Sequence, residues 1–531
     1  MGNVVNQPTG AIDALKQNFN TMSPSGYSSK RNDLVHAEAD RSWDKHAKDT
    51  ASQDELTAAT ILAKTREYER IHLFGNLPGE AVPGPETRDM GGRFLVNRTH
   101  IYHKSTVFKV AKNMPKGCHL HVHFNSEMPP EDLLLRARKL VPKTMFVRTW
   151  VEWNEIVDEE YRLDRRQLDR AEQWAIYKMV ISHDVAYGET QTHNGAWACF
   201  NQGTRAFKGL LNYEGTYRWY IREAINRMIE DKIMYAEWRP MLMDKTIPSD
   251  DGRKLLRLYD QMSIICAEMD QRRDELRSEG KINQFPFGVK IIYCTPRSIP
   301  RTRMQTELQD CLELKLQFPH LICGFDLVGA EDRPNNIGFY GDLLVAFQET
   351  CKSHNVEIPF MFHAGETLLD TGGSQLSENS NLYDSLLLGA CRIGHGYALL
   401  KHPLLIEKFK QNDICIEICP TSNELLHLCS NIKEHPYPEL LAAGLHCTIN
   451  SDNSSLFRSS LSYEFYQVMV GSPTMSLHSW RQLVEWSVEH SCLTKAEKEQ
   501  AMEIFKVDWE AFCSWIVTEY GPTADTLPEL K

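Results

Sequence analysis

Eight short apolar runs, each ending in polar or small residues, recur along the chain beyond residue 113. Most are separated by stretches with apolar residues at helical spacing, such as LLRLYDQMSIICAEMDQRRDEL. The predicted strands are 117–124, 233–241, 288–296, 322–330, 357–365, 391–399, 413–422 and 444–452. Strands that alternate with helices predict a parallel sheet, and eight of them predict an α/β fold of the closed (β/α)8 TIM-barrel type.

The rest of the chain is predicted to form additions to this barrel. Residues 1–30 are rich in Asn, Gly, Ser and Pro, which is typical of a disordered or loosely docked arm. Residues 31–112 show helical spacing and predict a helical N-terminal extension. The barrel domain would then be 113–531. Its first connection is too long for one crossover helix, so we predict an insertion at about 125–195.

Composition narrows the class of protein. A net charge of −12 and a pI of about 5.9 give no electrostatic reason to expect a nucleic-acid partner. No apolar run approaches the roughly 20 residues that span a bilayer, so no membrane partner is expected. The first thirty residues lack the apolar core of a signal peptide, and the 14 cysteines are scattered. These features predict a cytoplasmic protein.

Four metal-binding side chains are predicted at three strand ends. His121 and His123 are one residue apart, so on a strand both point to the same face. An HxH pair alone is as well explained by packing. His363 ends the fifth predicted strand and Asp452 the eighth, although a lone aspartate there is more often a helix cap. Three imidazoles and a carboxylate together suit a zinc-like ion with one position open to water.

Two further groups are predicted to handle protons beside this ion. Glu366 follows His363 by three residues, and His395 lies between two glycines in RIGHGYAL, the motif of the sixth predicted strand. An acid at the start of a helix would explain Glu366 equally, and a hydrogen-bonded loop residue would explain His395. Hydrolysis by a metal-activated water needs a proton donor and acceptor, which a carboxylic acid and an imidazole provide.

The ordered motifs MPKGCHLHVH, GFDLVGAED, FHAGET, RIGHGYAL, ICPTSNELL and INSDNSSLF carry a family resemblance. They resemble the adenosine/AMP deaminase family of metal-dependent hydrolases, and within it the adenosine deaminase-related growth factor (ADGF) group. The resemblance extends from about residue 70 to the C-terminus. It implies a zinc enzyme, with one ion per chain, that converts adenosine and 2′-deoxyadenosine to inosine and 2′-deoxyinosine with release of ammonia.

The resemblance also implies roles for individual residues. Glu366 would protonate the purine N1, and His395 would orient or deprotonate the attacking water. The backbone N–H of Gly329 would bind the purine N3. The implied zinc ligands are His121, His123, His363 and Asp452. Trp197 resembles an aromatic residue that shapes the ADGF pocket, or is a core tryptophan; Glu331 and Asp332 would line the pocket or cap the following helix.

The sequence departs from the family pattern at two predicted substrate-binding positions. Asn453 stands where a second aspartate is usual, and its amide would donate to the purine N7 without needing a proton. Phe124 and Asn125 replace an acidic residue that usually contacts the ribose. The segment from Phe124 to Trp197 has no cysteine, whereas the secreted ADGF group carries a disulfide-bearing insertion there. A cytoplasmic location is therefore expected, with an extracellular one as the alternative.

Other activities remain open at this stage. The same chemistry on AMP, adenine or an N6-modified adenosine is the alternative, and a phosphate would need Arg239, Arg297 or Lys401 near the mouth. A non-catalytic signalling protein on this fold is a further alternative, although all four predicted ligands are present. The N-terminal helices resemble the ADGF dimerisation element and predict a homodimer.

Overall fold

The structure is a computed structural model that describes residues 9–21, 25–77, 79, 82–140, 165–189, 191–372 and 376–527. The chain divides into two compact units, 1–50 and 51–531. Parts of the predicted arm (1–8 and 22–24) and of the predicted insertion (141–164) lie outside the described residues. The predicted domain boundaries stay predictions.

Eight parallel strands form the centre of the second unit. They are β1 Gly117–Val122, β2 Ile233–Trp238, β3 Val289–Pro296, β4 Ile322–Val328, β5 His363–Ala364, β6 Arg392–His395, β7 Cys415–Ile418 and β8 Cys447–Ile449. Strands β1 to β4 pair in order, as do β5 to β8. The two halves join where His123 N donates to Asp452 O at 2.8 Å and Phe325 N donates to Pro359 O at 3.0 Å. The predicted barrel is confirmed.

Helices precede the barrel and connect its strands. The first unit contains α1 Thr9–Thr21, α2 Ser25–Ala39 and α3 Lys45–Asp49. The second contains α4 Gln53–Tyr68, α5 Phe94–Lys104, α6 Thr106–Asn113, α7 Pro130–Leu140, α8 Arg165–Met179, α9 His183–Tyr187, α10 His193–Leu211, α11 Glu214–Glu230, α12 Leu258–Ser278, α13 Arg301–Gln317, α14 Gly341–Ser353, α15 Asn381–Leu387, α16 Pro403–Gln411, α17 Pro420–Leu425, α18 Tyr437–Ala442, α19 Leu461–Gly471, α20 Leu477–Glu489 and α21 Lys495–Ala524. A short antiparallel hairpin, Thr246–Pro248 with Leu255–Arg257, follows β2.

The barrel core explains why the strands are so apolar. Both faces of a parallel sheet are covered by other elements, so its strands are continuous apolar runs rather than alternating ones. Phe360 and Phe362 are fully buried and lead directly into β5. Five charged side chains nevertheless lie buried inside the barrel: Glu237, Arg239, Asp326, Arg392 and Glu417. Such groups require partners. They pair with one another: Arg392 with Glu237 and Glu417, and Arg239 with Asp326 and Glu417.

Among the described residues, no helix combines the length and the apolar character needed to cross a membrane.

Candidate active site

The four predicted metal ligands converge at the carboxyl ends of β1, β5 and β8. One donor atom from each lies within 4.8 Å of the others. His123 Nε2 is 3.3 Å from His363 Nε2 and 3.2 Å from Asp452 Oδ1. His121 Nε2 is 3.5 Å from the same Asp452 oxygen. These separations are typical of atoms that share one ion with ligand distances of about 2.1 Å.

Local backbone geometry makes this convergence possible. Asp452 adopts a left-handed conformation with φ of 56°, which few non-glycine residues do. Asp452 lies three residues after β8 and pairs with Val122 at the end of β1. Gly394 on β6 makes room for the His121 ring, because a Cβ there would lie 2.7 Å from His121 Cε1. Any larger residue at position 394 would displace a predicted ligand.

Two buried carboxylates orient the imidazoles. His121 Nδ1 lies 2.8 Å from Glu417 Oε2, and His363 Nδ1 lies 2.8 Å from Asp326 Oδ2. Donation from Nδ1 to a carboxylate leaves the Nε2 lone pair of each ring facing the cluster, as metal-binding histidines require. Arg239 links the two carboxylates, donating to Asp326 at 2.9 Å and to Glu417 at 2.7 Å.

Electrostatics keep both carboxylates ionised. Burial alone would raise the pKa of Asp326 and of Glu417. The adjacent histidines and the guanidinium of Arg239, with Arg392 also beside Glu417, outweigh burial and hold each pKa well below its ordinary value. Sequence reasoning missed this pair of carboxylates. The available signal was an acidic residue inside an apolar strand, as in GFDLV and CIEIC.

The donor set fits a metal ion. His121 Nε2 is buried and has no hydrogen-bond partner, so an imidazole nitrogen would be left unsatisfied without a ligand there. Three imidazole nitrogens and one carboxylate oxygen are the donors that catalytic zinc sites use, with a further position for water. These residues would hold a metal cofactor.

Glu366 and His395 lie beside the cluster. His395 Nε2 is 3.5 Å from Glu366 Oε1, and both side chains are buried. Burial raises the pKa of Glu366 well above its ordinary value, and the negative charges of Asp452 and Glu331 raise it further. The shift favours the protonated form of Glu366. Burial also lowers the pKa of His395 well below its ordinary value, so this ring is neutral.

The predicted pocket residues have different placements. Glu331 is buried, and its carboxylate accepts the N–H of Gly365 at 3.0 Å and of Glu366 at 2.9 Å. Glu331 therefore fixes the backbone of the loop that carries Glu366. Gly329 directly follows β4 with φ of 99°, and a Cβ there would meet no heavy atom within 4 Å. This glycine borders open space.

The two asparagines are both engaged by the protein. Asn453 Oδ1 accepts from Ser126 Oγ at 2.7 Å, and its Nδ2 donates to Asp452 Oδ1 at 2.9 Å. One amide hydrogen of Asn453 is not used by these two bonds. Asn125 Oδ1 accepts from Met241 N at 2.9 Å, which ties the loop after β1 to the chain after β2.

Trp197 lies two residues beyond the predicted insertion. It lies buried on α10, where its Nε1 donates to His193 Nε2 at 3.2 Å. The same His193 nitrogen is 3.3 Å from Asp332 Oδ2. Asp332 also accepts the hydroxyl of Thr367, so α10 is connected to the loop that carries Glu366.

Comparisons with known proteins identify the family of this chain. A sequence profile for adenosine deaminase matches residues 180–507. Adenosine deaminase 2 of Sus scrofa is 30% identical over 441 residues, which cover 78% of this chain and 81% of that protein. Adenosine deaminase 2 of Dictyostelium discoideum is 28% identical over 517 residues, covering 94% and 89%.

A solved structure shares the fold. An amidohydrolase from Burkholderia ambifaria with bound Zn superposes with a TM-score of 0.55 at 14% identity, covering 78% of this chain and 95% of that one. At this identity the likeness is one of fold.

Proposed function

This chain belongs to the adenosine deaminase family, and we propose that it catalyses the zinc-dependent hydrolytic deamination of adenosine and 2′-deoxyadenosine. The products are inosine or 2′-deoxyinosine and ammonia. The observation that carries the proposal is the pairing of a buried acid with a raised pKa, Glu366, with a cluster of four metal-binding donors. That combination suits addition of water to a purine ring that must first be protonated.

The catalytic zinc, one such ion per chain, would be held by His121, His123, His363 and Asp452. When bound, zinc supplies Lewis-acid activation of water near neutral pH. Glu366 would donate its proton to the purine N1, which makes C6 electrophilic. The backbone N–H of Gly329, next to open space, would bind N3.

The remaining polar groups would orient the reactants. The unused amide hydrogen of Asn453 would donate to N7. His395 would present Nε2 to the attacking oxygen. Water then adds to C6, the amino group leaves as ammonia, and Glu366 recovers its proton. Glu331 would act through Glu366, because it holds that residue's backbone rather than the substrate.

A nucleoside is favoured over AMP because, of the three cations considered for a phosphate, Arg239 and Lys401 are bonded to the protein. The third, Arg297, is buried, with Nη2 bonded and Nε and Nη1 without a hydrogen-bond partner. Arg239 is fully buried between Asp326 and Glu417. Arg297 donates to the carbonyls of Leu327 at 3.0 Å and His363 at 2.8 Å, and Lys401 donates to that of Leu368. AMP, adenine and N6-methyladenosine are retained as competing substrates.

The test is ammonia release by zinc-loaded protein with adenosine, 2′-deoxyadenosine, AMP, adenine and N6-methyladenosine in parallel. We expect turnover of the two nucleosides. Glu366→Gln should remove activity to the background while zinc stays bound, because its carboxyl lies outside the predicted coordination. Asp452→Asn should lose both the catalytic zinc, as measured by elemental analysis, and activity, as measured by ammonia release.

The outcomes separate the alternatives. Activity confined to AMP, adenine or N6-methyladenosine would keep the chemistry and replace the substrate. Bound zinc with no turnover of any compound would favour the non-catalytic alternative. Loss of zinc in Glu366→Gln would show that the carboxyl is a ligand and that its assignment as acid is wrong.

A further inference from the structure

A second group of side chains of the metal-binding type lies close together at the end of the barrel where the strands begin. Asp413 lies two residues before β7, His446 immediately precedes β8, and His490 is the C-terminal cap of α20. The catalytic cluster follows the carboxyl ends of the strands, whereas these residues lie at their amino ends. The two groups are therefore at opposite ends of the barrel, separated by about 20 Å of strand along the six residues from His446 to Asp452.

The three donor atoms are spaced as ligands of one ion. His446 Nδ1 is 2.8 Å from His490 Nε2 and 3.6 Å from Asp413 Oδ1, and that oxygen is 3.9 Å from His490 Nε2. A point in their plane lies about 2.0 Å from all three atoms, which is the length of a zinc–imidazole or zinc–carboxylate bond. We propose that Asp413, His446 and His490 bind a divalent cation of the zinc type.

The fold fixes these ligands independently of any ion. His446 is held by its carbonyl, which accepts from Ile416 N at 2.9 Å, and its ring stacks on Trp486 with centroids 4.5 Å apart. His490 is held by its carbonyl, which accepts from Arg392 Nη1 at 2.6 Å. A site whose ligands are already positioned loses little conformational freedom when the ion binds.

The surroundings suit a small hydrated cation. Asp413 is 70% exposed and His446 33% exposed, so water has access to the remaining coordination positions. The neighbouring basic side chains are engaged by backbone oxygens: Arg392 by His490, and Lys498 by Glu489 at 2.6 Å. A carboxylate with two imidazoles favours zinc, nickel or copper over the hard cations magnesium and calcium.

A direct hydrogen bond between the two imidazoles is the competing explanation of the 2.8 Å contact. A hydrogen bond of this kind would not need Asp413, and the stability of the protein would then not depend on added metal. A bound ion, by contrast, would cross-link α20 to the starts of β7 and β8. It would add to stability without changing the chemistry at the far end of the barrel.

The experiment compares four full-length proteins: the wild type, Asp413→Asn, His446→Gln and Glu407→Gln. Asp413→Asn removes the charge of one ligand at an exposed position, and asparagine tolerates its left-handed backbone with φ of 52°. Glu407→Gln is the matched control, since it removes the same charge from the exposed face of α16. Zinc bound per chain is measured by elemental analysis, and its affinity by competition with a chromophoric chelator. Nickel quenching of tryptophan fluorescence reports on the ring stacked against His446.

We expect two zinc ions per chain in the wild type and in Glu407→Gln. The weaker of the two should be lost, or its affinity reduced roughly tenfold or more, in Asp413→Asn and His446→Gln, with ammonia release unchanged. Zinc should also raise the unfolding temperature of the wild type more than that of Asp413→Asn. A single zinc in the wild type, or a second one unaffected by either variant, would overturn the proposal. Asp452→Asn removes a predicted ligand of the catalytic zinc and leaves Asp413, His446 and His490 unchanged. Zinc that remains bound to this variant therefore reports on the second site alone.

Discussion

At position 395 a chain of hydrogen bonds decides which ring nitrogen carries the proton. Tyr437 N donates to His435 Nδ1 at 3.1 Å, so the neutral ring of His435 has its proton on Nε2. That nitrogen lies 2.9 Å from Asn423 Oδ1, which leaves Asn423 Nδ2 to donate to His395 Nδ1 at 3.0 Å. His395 Nε2 therefore presents an N–H to the site. This tautomer favours orienting the attacking oxygen over removing its proton.

Asn423→Asp should reverse this tautomer, because a carboxylate accepts from Nδ1. We expect kcat to fall roughly 100-fold or more with zinc still bound, since the wrong tautomer disables a positioned imidazole. The acidic limb of the pH–rate profile should also move to higher pH, because the carboxylate favours the protonated ring. His435→Gln can still donate to Asn423 and serves as the conservative control. Unchanged kcat in Asn423→Asp would contradict the assigned tautomer.

Asn453 offers a second prediction at a single side chain. Asn453→Asp restores the residue usual in the family, but it places a carboxylate against Asp452, where the amide now donates at 2.9 Å. It could donate to the purine N7 only when protonated. We expect kcat/KM of the variant to decline with rising pH while that of the wild type does not. Parallel pH profiles for the two proteins would show that Asn453 does not contact N7.

Sequence reasoning predicted candidate residues for the site, but it did not predict the residues that hold them in place. His121, His123, His363 and Asp452 stand out because polar residues interrupt apolar runs at strand ends. Asp326 and Glu417 lie inside such runs, which shows that each needs a partner but does not identify it. Their partners come from strands that are distant in sequence, so only the closed barrel reveals them. Nothing in the sequence around Asn423 indicated that it hydrogen-bonds to His395.

At the scale of elements, apolar runs predicted all eight barrel strands because each is buried on both faces. The runs did not give strand lengths: β5 is only His363–Ala364, although the apolar run before it is longer. The hairpin after β2 was also missed, since its strands are three residues long and largely exposed. Such short elements are defined by tertiary contacts rather than by local pattern.

Glu424 on α17 connects three separate elements. Its Oε1 accepts from Phe94 N at 2.6 Å, at the start of α5, and from the hydroxyl of Tyr187 at the end of α9. Burial raises the pKa of Glu424 to about 8. A carboxyl whose pKa is raised by folding does not reduce the free energy of unfolding at low pH, where it is protonated in both states. As the pH rises from the pKa of the unfolded state, about 4.3, through the pKa of the folded state, ionisation of this carboxyl lowers the free energy of unfolding.

Glu424→Gln should remove this pH dependence. Between pH 6 and pH 8 the wild type should lose roughly 2 kcal/mol of unfolding free energy relative to the variant, because one unit of pH is worth at most about 1.4 kcal/mol per proton. Denaturant unfolding at both pH values measures the difference. Glu439→Gln, an exposed site on the neighbouring α18, is the control and should follow the wild type. Equal pH dependence in all three proteins would show that Glu424 ionises normally.

For the whole molecule, the feature that bears on assembly is a row of exposed apolar side chains on α1 of the N-terminal unit. Ile12, Leu15 and Phe19 are exposed on α1 and recur at positions i, i+3 and i+7, so they share one face of the helix. A continuous apolar face of this kind is typical of an association surface. We propose that it contributes to a homodimer, the assembly that the family resemblance of this region implies.

Light scattering of the full chain should give twice the chain mass of 61.1 kDa. Replacing Ile12, Leu15 and Phe19 together by serine should shift the protein towards the monomer, because the apolar area buried between two copies drives association. The matched control carries serine at Ala14 and Gln17, on the opposite face of α1, and should remain dimeric. A wild type of single chain mass would exclude the homodimer. A dimer that survives the triple substitution would instead place the interface outside α1, on the residues that follow it.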